Sequence, residues 1–187
     1  MKKALVTGVT GQDGAYLSKI LLEKGYKVYG TFRRVSTPNF WRLQTLDIHS
    51  KIHLIPADLI DMGSLLESLK VSDPDEVYNL AASSYVGTSF EEAVANAEIT
   101  GLAVTKILEA LLHQNPNIKF YQASTSEMYG NNKFKTQNEE TPFYPASPYA
   151  ISKLYAHWIT NVYRKSYDIF ASCGILFNHE SPLRGME

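Results

Sequence analysis

The sequence predicts an α/β protein built around a doubly wound parallel sheet. Short apolar runs of strand length alternate with segments whose apolar residues recur at helical spacing, a pattern typical of a parallel sheet covered by helices on both faces. A glycine-rich turn, GVTGQDG at residues 8–14, stands directly after the first apolar run. The 187 residues are 44% hydrophobic and 20% charged, which is enough apolar material for one buried core.

Six strands are predicted from short runs rich in apolar residues. The first run begins almost at the first residue, and the last has the composition of a buried strand. In chain order the predicted strands are KALVT at 3–7, KVYGT at 27–31, IHLIP at 52–56, EVYNL at 76–80, KFYQA at 119–123 and ASCGILF at 171–177.

Four helices are predicted between these strands. They cover residues 15–24, 62–70, 93–114 and 148–166, where apolar residues lie three and four positions apart. We expect the third helix to fray or kink near Gly101, because glycine inside a helix costs about 1 kcal/mol relative to alanine. In the fourth helix, Tyr155, Trp158 and Val162 share one face, which we expect either in the core or in a contact with another subunit.

Two long connections are expected to leave the sheet, at residues 35–50 and 130–144. Loops of this length in a compact domain are usually functional or contact a partner. The segment after the last strand, from Asn178 onward, is polar and rich in residues typical of a site. A natural protein rarely stops inside such a loop, so we expect the chain to be part of a longer protein.

Composition and charge exclude several classes of function. The formal net charge of −1 provides no long-range attraction for nucleic acid or an anionic membrane, so we expect neither partner. The first apolar run is too short for a signal peptide or a membrane span. Cys173 is the only cysteine, which excludes an internal disulfide and favours a reducing compartment, by default the cytoplasm. We expect no metal site.

The glycine turn predicts a dinucleotide-binding site. A strand, a glycine-rich turn and a helix in this order place the pyrophosphate of a dinucleotide at the unpaired N–H groups of the helix. Glycine permits the sharp turn and the close approach of phosphate to backbone. The residues expected to contact the cofactor here are Gly8, Thr10, Gly11, Gln12, Asp13 and Gly14.

The second strand favours NADP over NAD. An NAD site usually has an acidic residue about twenty positions after the glycine turn, and none occurs between Lys24 and Asp47. Arg33 and Arg34 instead follow the strand and could bind a 2′-phosphate with planar, multidentate donors. Composition alone would favour a solvated strand end for this pair.

The third and fourth strands end in further candidate cofactor contacts. Asp58, followed by Leu59, could accept a hydrogen bond from the adenine amino group, or it could cap the next helix. The small residues after the fourth strand would let a cofactor lie against the backbone. The candidates here are Leu80, Ala81, Ala82 and Ser84.

Tyr149 and Lys153 form a candidate catalytic pair. If Tyr149 opens a helix, Lys153 lies one turn further on the same face, so its ammonium group could favour the ionised phenol. A phenol needs such a shift, because its pKa of about 10 makes it useless as a base at neutral pH. The segment STSE at 124–127 supplies hydroxyl groups and a carboxylate.

Taken in chain order, these motifs resemble the extended short-chain dehydrogenase/reductase family. Within that family the chain is similar to GDP-mannose 4,6-dehydratases in FYQASTSEMYG at 120–130, TPFYPASPYA at 141–150 and GILFNHESPLRG at 174–185. The resemblance covers essentially the whole chain. It implies a Rossmann fold in which residues 1–187 form the NADP-binding domain, with the smaller nucleotide-sugar domain largely absent from this chain.

The resemblance also implies roles for individual residues. Thr125, Glu127, Tyr149 and Lys153 would serve catalysis, and Tyr149 and Lys153 would also contact the cofactor. His179 and Arg184 would help to hold the cofactor, although His179 taken alone is more typical of a histidine at a strand end. The nucleotide-sugar would be contacted by Ser84, Thr125, Glu127, Tyr149, Asn178 and Glu180.

The implied reaction is an internal redox cycle on GDP-mannose. Tyr149 would take the proton of the sugar 4-hydroxyl while hydride passes from C4 to NADP⁺, and Thr125 would hydrogen-bond to the 4-oxygen. The resulting ketone acidifies the C5 hydrogen, so Glu127 could remove that proton and protonate the departing 6-hydroxyl. Hydride would then return to C6 and give GDP-4-keto-6-deoxymannose.

Three alternatives and one assembly expectation accompany this interpretation. The same reaction could act on GDP-manno-heptose, or the chain could be a cofactor-binding module without turnover. A nucleotide-sugar epimerase or reductase is a third possibility, but inversion at C4 needs no base at C5, so Glu127 argues against the epimerase. The family resemblance also implies a homo-oligomer, a dimer or tetramer, in which Trp41 and Arg42 could reach a neighbouring subunit; a mobile surface loop is the alternative for this connection.

Overall fold

The computed structural model describes residues 1–37, 39–134 and 136–185. It contains one six-stranded sheet in which every neighbouring pair is parallel and the strand order is β3-β2-β1-β4-β5-β6. The strands are β1 Lys3–Thr7, β2 Lys27–Phe32, β3 His53–Pro56, β4 Glu76–Asn79, β5 Lys119–Thr125 and β6 Ala171–Leu176. The predicted parallel sheet is therefore confirmed, and all six predicted strands are present with boundaries shifted by no more than two residues.

Helices cover both faces of the sheet. The α-helices are α1 Gln12–Glu23, α2 Trp41–Thr45, α3 Met62–Ser72, α4 Ala93–Asn96, α5 Ala103–Gln114 and α6 Pro148–Tyr167. Short 3₁₀ turns lie at His49–Lys51, Gly87–Phe90 and Ser126–Met128. Among the helices of the described residues, none is both long enough and apolar enough to cross a membrane.

Two buried clusters fix the helices to the sheet. Alternate residues of the central strands point to opposite faces, so Leu5 and Val77 belong to one cluster and Val6 to the other. The first cluster packs the sheet against α3, α5 and α6, and the second packs it against α1 and α2. Burying apolar residues on both faces explains why the strands are continuously apolar rather than alternating.

The predicted helix over 93–114 is interrupted. A π-helical segment, Ala97–Leu102, joins α4 to α5, so the irregularity expected near Gly101 is present. A Cβ atom at Gly101 would lie 3.4 Å from the Ser152 carbonyl oxygen of α6, which is an ordinary van der Waals distance. Packing against α6 therefore does not require glycine at this position.

The strand order creates a crevice at the carboxyl ends of β1 and β4. The chain crosses from β1 to β2 and β3 on one side, and from β4 to β5 and β6 on the other. Connections leave in opposite directions at this switch point and leave a gap between them, which is where open α/β sheets bind ligands. The glycine turn after β1 lies at this position.

Candidate active site

The glycine turn brings the backbone close to its neighbours. Gly8 has a φ of +68°, and a Cβ atom on it would lie 2.9 Å from the Ala81 Cα atom. A Cβ atom on Gly14 would lie 2.3 Å from the Gly8 carbonyl oxygen. Gly11 is the N-cap of α1 and supplies no side-chain cap, so the first N–H groups of this helix stay available to a ligand.

Two adjoining cavities meet at this turn. The first has a volume of about 530 Å³ and extends past the ends of β2 and β3. The second has a volume of about 690 Å³ and extends past the ends of β5 and β6. Residues that line both are Gly8, Gly11, Leu80, Ala82 and Ser84, so the cavities are continuous over the turn.

The predicted cofactor residues divide between the two cavities. The first cavity is lined by Thr10, Arg33, Asp58, Leu59 and Ala81 in addition to the shared residues. The second is lined by Gln12, Asp13, Gly14, His179 and Arg184, together with the four predicted catalytic residues and Asn178. Arg34 and Glu180, both described by the structure, line neither cavity.

The two adjacent arginines are therefore not equivalent. Both side chains are exposed, but only Arg33 lines the first cavity. Both arginines lie just beyond the end of β2, which stops at Phe32.

The alternative role of Asp58 as a helix cap is wrong. Asp61 is the N-cap of α3, and its two carboxylate oxygens each accept a hydrogen bond, from the Gly63 and Ser64 backbone N–H groups at 3.1 Å. Among the described residues, the hydrogen-bond donor to the Asp58 side chain is the Ile60 N–H, at 3.2 Å. Asp58 therefore keeps a carboxylate oxygen for a ligand in the first cavity.

The amino-terminal end of α6 positions Tyr149 and Lys153. Ser147 caps the helix by accepting a hydrogen bond from the Ala150 N–H at 3.1 Å, and Pro148 occupies the first turn, as is common at helix starts. Tyr149 and Lys153 are buried and line the second cavity. The Lys153 Nζ atom lies 5.9 Å from the centre of the Tyr149 ring.

The pKa of Tyr149 departs in the direction opposite to that predicted from its spacing to Lys153. Burial raises the pKa of the Tyr149 phenol, the Thr125 hydroxyl opposes this, and the Glu127 carboxylate raises it further. Burial also lowers the pKa of Lys153 to about 8. The Lys153 ammonium group donates to the Ala123 carbonyl at 2.8 Å and is held there rather than at the phenol oxygen.

Thr125 and Glu127 stand at the carboxyl end of β5. Thr125 caps the short turn at Ser126–Met128, and its hydroxyl accepts a hydrogen bond from the Glu127 N–H at 3.2 Å. Thr125 is buried, whereas Glu127 is exposed. The turn thus places a hydroxyl and a solvent-accessible carboxylate on the same wall of the second cavity as Tyr149.

A buried chain of hydrogen bonds connects the glycine turn to Lys153. The Thr7 hydroxyl donates to Asn79 Oδ1 at 2.6 Å, and Asn79 Nδ2 donates to Gln122 Oε1 at 2.8 Å. Gln122 Nε2 then donates to the Ala123 carbonyl at 3.0 Å, the same oxygen that Lys153 contacts. These side chains belong to β1, β4 and β5, and no local sequence pattern predicts their contact.

The segment after β6 returns to the glycine turn. His179 Nδ1 lies 3.0 and 3.1 Å from the two Asp13 carboxylate oxygens, and Gln12 Nε2 donates to the His179 carbonyl at 2.9 Å. The Ser181 hydroxyl donates to Gln12 Oε1 at 2.8 Å. Residues about 166 positions apart in the sequence are thereby joined beside the second cavity.

Arg42 also contacts the glycine turn and the segment after β6. Its Nε atom donates to the Leu183 carbonyl at 2.7 Å and its Nη1 atom lies 3.4 Å from the Thr10 carbonyl, while its contact with a neighbouring subunit stays a prediction. Its guanidinium group also lies over the Trp41 ring, 4.4 Å from the ring centre. Arg42 lines the second cavity, and only the presence of a charged residue in a long connection could have hinted at this role.

The arrangement fits a dinucleotide. Uncapped N–H groups of α1 lie between the two cavities, and side chains at Gly8 or Gly14 would collide with neighbouring backbone. Arg33 and Asp58 stand at one end of the crevice, and Tyr149 and Lys153 stand at the other. Among the residues that the structure describes, no group of three or more His, Cys, Asp or Glu side chains is placed to hold a metal ion.

Comparisons with known proteins agree with this arrangement. The sequence model of the family described as GDP-mannose 4,6 dehydratase matches residues 5–187. The GDP-mannose 4,6-dehydratase of Yersinia enterocolitica is 48% identical over 192 residues, which cover 99% of this chain and 52% of that protein. The enzyme of the same name from Vibrio cholerae is 50% identical over 193 residues, which cover 98% of this chain and 51% of that protein.

A solved structure shows the same fold. The dTDP-glucose 4,6-dehydratase of Bacillus anthracis, determined in complex with NAD, superposes with a TM-score of 0.84 at 25% identity. The match covers 98% of this chain and 57% of that one. The chain therefore spans about half the length of the curated relatives and of the solved structure that it matches.

Proposed function

Because the chain belongs to the GDP-mannose 4,6-dehydratase family, we propose that it forms the NADP-binding and catalytic part of an enzyme that converts GDP-mannose to GDP-4-keto-6-deoxymannose. One observation carries the proposal: Thr125, Glu127, Tyr149 and Lys153 line a single cavity that opens onto the glycine turn. Relatives of this name extend to about twice this length, so residues outside this chain would contribute to the binding of the GDP-sugar.

The chemistry follows from the order of the polar groups along the cavity. When bound, the oxidised nicotinamide ring would accept a hydride from C4 of the sugar and later return it to C6, and its positive charge would favour ionisation of Tyr149. Tyr149 would take the proton of the 4-hydroxyl, and the Thr125 hydroxyl would hydrogen-bond to the 4-oxygen. Because burial raises the pKa of the Tyr149 phenol, the positive charge of the bound nicotinamide ring would have to offset this shift before Tyr149 could accept the proton.

Glu127 distinguishes dehydration from simple oxidation. Its carboxylate is exposed to the cavity, where it would remove the C5 proton made acidic by the 4-keto group and deliver a proton to the departing 6-hydroxyl. The oxygen leaves as water, and the resulting double bond between C5 and C6 accepts a hydride at C6 and a proton at C5. The cofactor is regenerated, so no net reduced cofactor accumulates.

The substrate test uses GDP-mannose with NADP. The proposal predicts a 4-keto product with no net formation of NADPH. Accumulation of NADPH would indicate a dehydrogenase instead, and bound NADP without any product would indicate a cofactor-binding module. A parallel reaction with GDP-manno-heptose decides between the two sugars.

Substitution of Glu127 tests the assignment of the base. Glu127→Gln should block loss of water while C4 oxidation is still permitted, because glutamine keeps the shape but cannot accept a proton. Solvent deuterium exchange at C5 measures the missing proton transfer directly. Dehydration by this variant at the wild-type rate would show that another group is the C5 base.

We further propose that the cofactor is NADP, with Arg33 as the principal contact of the 2′-phosphate. Arg34 provides a matched control, since it has the same charge but lines neither cavity. Arg33→Ala should weaken NADP binding about tenfold or more, because a charge-assisted hydrogen bond to the 2′-phosphate is lost. The same substitution should leave NAD binding little changed. An equal loss for Arg34→Ala would mean that only the general positive charge matters.

A homo-oligomer, a dimer or tetramer, is part of this proposal. The face of α6 that carries Tyr155, Trp158 and Val162 is about half exposed, which excludes it from the core and leaves a contact between subunits as the supported alternative. Trp158→Lys should shift the mass measured by light scattering toward the monomer. We also propose a cytoplasmic location, which rests on the single free thiol of Cys173.

A further inference from the structure

Residues 179–184, here called the crossing segment, pass over the glycine turn and have few backbone hydrogen bonds of their own. Within the described part of the segment, the Arg184 N–H donates to the Ser181 carbonyl at 3.1 Å and the Leu183 N–H donates to the Ser181 hydroxyl at 3.1 Å. Two side-chain contacts also lie within the segment, from Arg184 Nη1 to the His179 carbonyl at 3.3 Å and to Glu180 Oε1 at 2.5 Å. Its position relative to the glycine turn therefore depends on contacts with the rest of the chain.

One end of the crossing segment is fixed by burial. The Leu183 side chain is only 3% exposed, and its carbonyl accepts the 2.7 Å hydrogen bond from Arg42. Arg42 also contacts the Thr10 carbonyl, so this anchor joins the segment to the glycine turn. Without a second anchor, the polar residues before Leu183 could move away from the cavity.

The other end is fixed by the first two residues of α1. The Gln12 amide uses both of its ends, donating to the His179 carbonyl and accepting from the Ser181 hydroxyl. The Asp13 carboxylate meets the His179 ring with both oxygens. Three side-chain contacts thus hold two residues of the crossing segment against the amino-terminal end of α1.

The charge of Asp13 supports a role toward the segment rather than toward a phosphate. A carboxylate in the first turn stabilises the helix, but it repels an anion bound at the same N–H groups. The His179 ring lies within hydrogen-bond distance of both Asp13 oxygens, so the carboxylate is occupied by a contact with the crossing segment. Arg184 lines the same cavity, and its guanidinium group is paired with the Glu180 carboxylate of the same segment.

We propose that Gln12 and Asp13 are positioning residues that hold the crossing segment over the glycine turn, so that the segment retains the pyrophosphate of the bound dinucleotide. The inference rests on the proposed NADP site and deepens it. Retention matters for the proposed reaction, because hydride that leaves C4 must return to C6 of the same sugar while the cofactor stays bound.

The first test measures the segment without cofactor. Backbone hydrogen exchange at Leu183 and Arg184 should accelerate about threefold to tenfold in Gln12→Ala and Asp13→Ala, as expected for loss of a partly exposed polar contact. Glu23→Ala, which removes an acidic side chain at the other end of α1, is the matched control and should leave these amides unchanged. Unchanged exchange in both test variants would overturn the proposal.

The second test measures release of NADP from the same variants. Dissociation of NADP should accelerate about threefold to tenfold in each variant, and Asp13→Asn, which keeps an acceptor for His179, should restore slow release in part. In a double-mutant cycle, Asp13→Ala and His179→Ala should be strongly non-additive, since both break the same contact.

The outcomes separate this inference from the proposed function. If the wild-type chain binds NADP but release is unaffected by the substitutions, or if the Asp13 and His179 effects are additive, the positioning role is refuted and the NADP site stands. If the wild-type chain binds no NADP, the proposed cofactor is wrong, and retention by the crossing segment is wrong with it.

Discussion

Replacement of Lys153 by methionine should change how the stability of the protein depends on pH. Burial lowers the pKa of Lys153 from the ordinary 10.5 to about 8. Each pKa unit corresponds to about 1.4 kcal/mol, so holding the charged amine in the folded state costs about 3 kcal/mol relative to the unfolded chain near neutral pH.

The sign of this pH dependence follows from whether the folded or the unfolded chain keeps the Lys153 proton. Between about pH 8 and 10.5 the unfolded chain keeps the Lys153 proton while the folded chain releases it, so the free energy of unfolding of the wild type rises with pH through this range. Lys153→Met lacks this contribution. The stability of the wild type relative to the variant should therefore increase by about 1 kcal/mol from pH 7 to pH 9.

Urea unfolding at several pH values measures this difference. Tryptophan fluorescence follows the transition, and subtraction of the Lys153→Met curve removes the titration of all other groups. Lys165→Met, an exposed lysine of the same helix, is the control and should give a curve parallel to that of the wild type. If the free energy of unfolding of Lys153→Met follows a pH curve that is also parallel to that of the wild type, the Lys153 amine is not buried in its charged form and the reasoning is refuted.

Three further substitutions test the packing and hydrogen bonds around the crevice by urea unfolding. Gly14→Ala should destabilise the chain by about 1–3 kcal/mol because its Cβ atom would overlap the Gly8 carbonyl oxygen, and a neutral effect would mean that the turn is pliable. Gln122→Leu should cost about 1–3 kcal/mol by leaving the buried Asn79 amide without its acceptor, whereas no loss would indicate that another group replaces it. Asp61→Ala should cost about 1 kcal/mol by removing the cap of α3, and a loss of cooperativity rather than stability would contradict a simple capping role.

The strands were predictable because each is a local apolar run, but the start of α1 was not. The helix begins at Gln12, inside the glycine turn, although Asp13 and Gly14 are weak helix formers. Glycine is needed at position 14 because a Cβ atom there would collide with the Gly8 carbonyl oxygen. The π-helical segment was foreseen only as an irregularity, since its form depends on contact with α6.

The candidate site was predictable to the extent that its residues lie in ordered motifs. Tyr149 and Lys153 could be assigned to one face from their spacing, and the glycine turn from its place after β1. Arg33 and Arg34 could not be distinguished without the direction of the chain beyond β2. The contact of Arg42 with Leu183 joins residues 141 positions apart, and such a contact leaves no trace in local sequence.

The buried hydrogen bonds from Thr7 to Lys153 also constrain how the chain can fold. In the aligned sheet, Thr7 stands opposite Asn79, and Asn79 stands opposite Gln122. Slippage of any one strand by a residue would turn its polar side chain to the other face and leave the remaining amides unpaired in an apolar layer. These hydrogen-bonded side chains therefore penalise misaligned intermediates, and the Ala123 carbonyl that Lys153 contacts is in place when the three central strands have paired correctly.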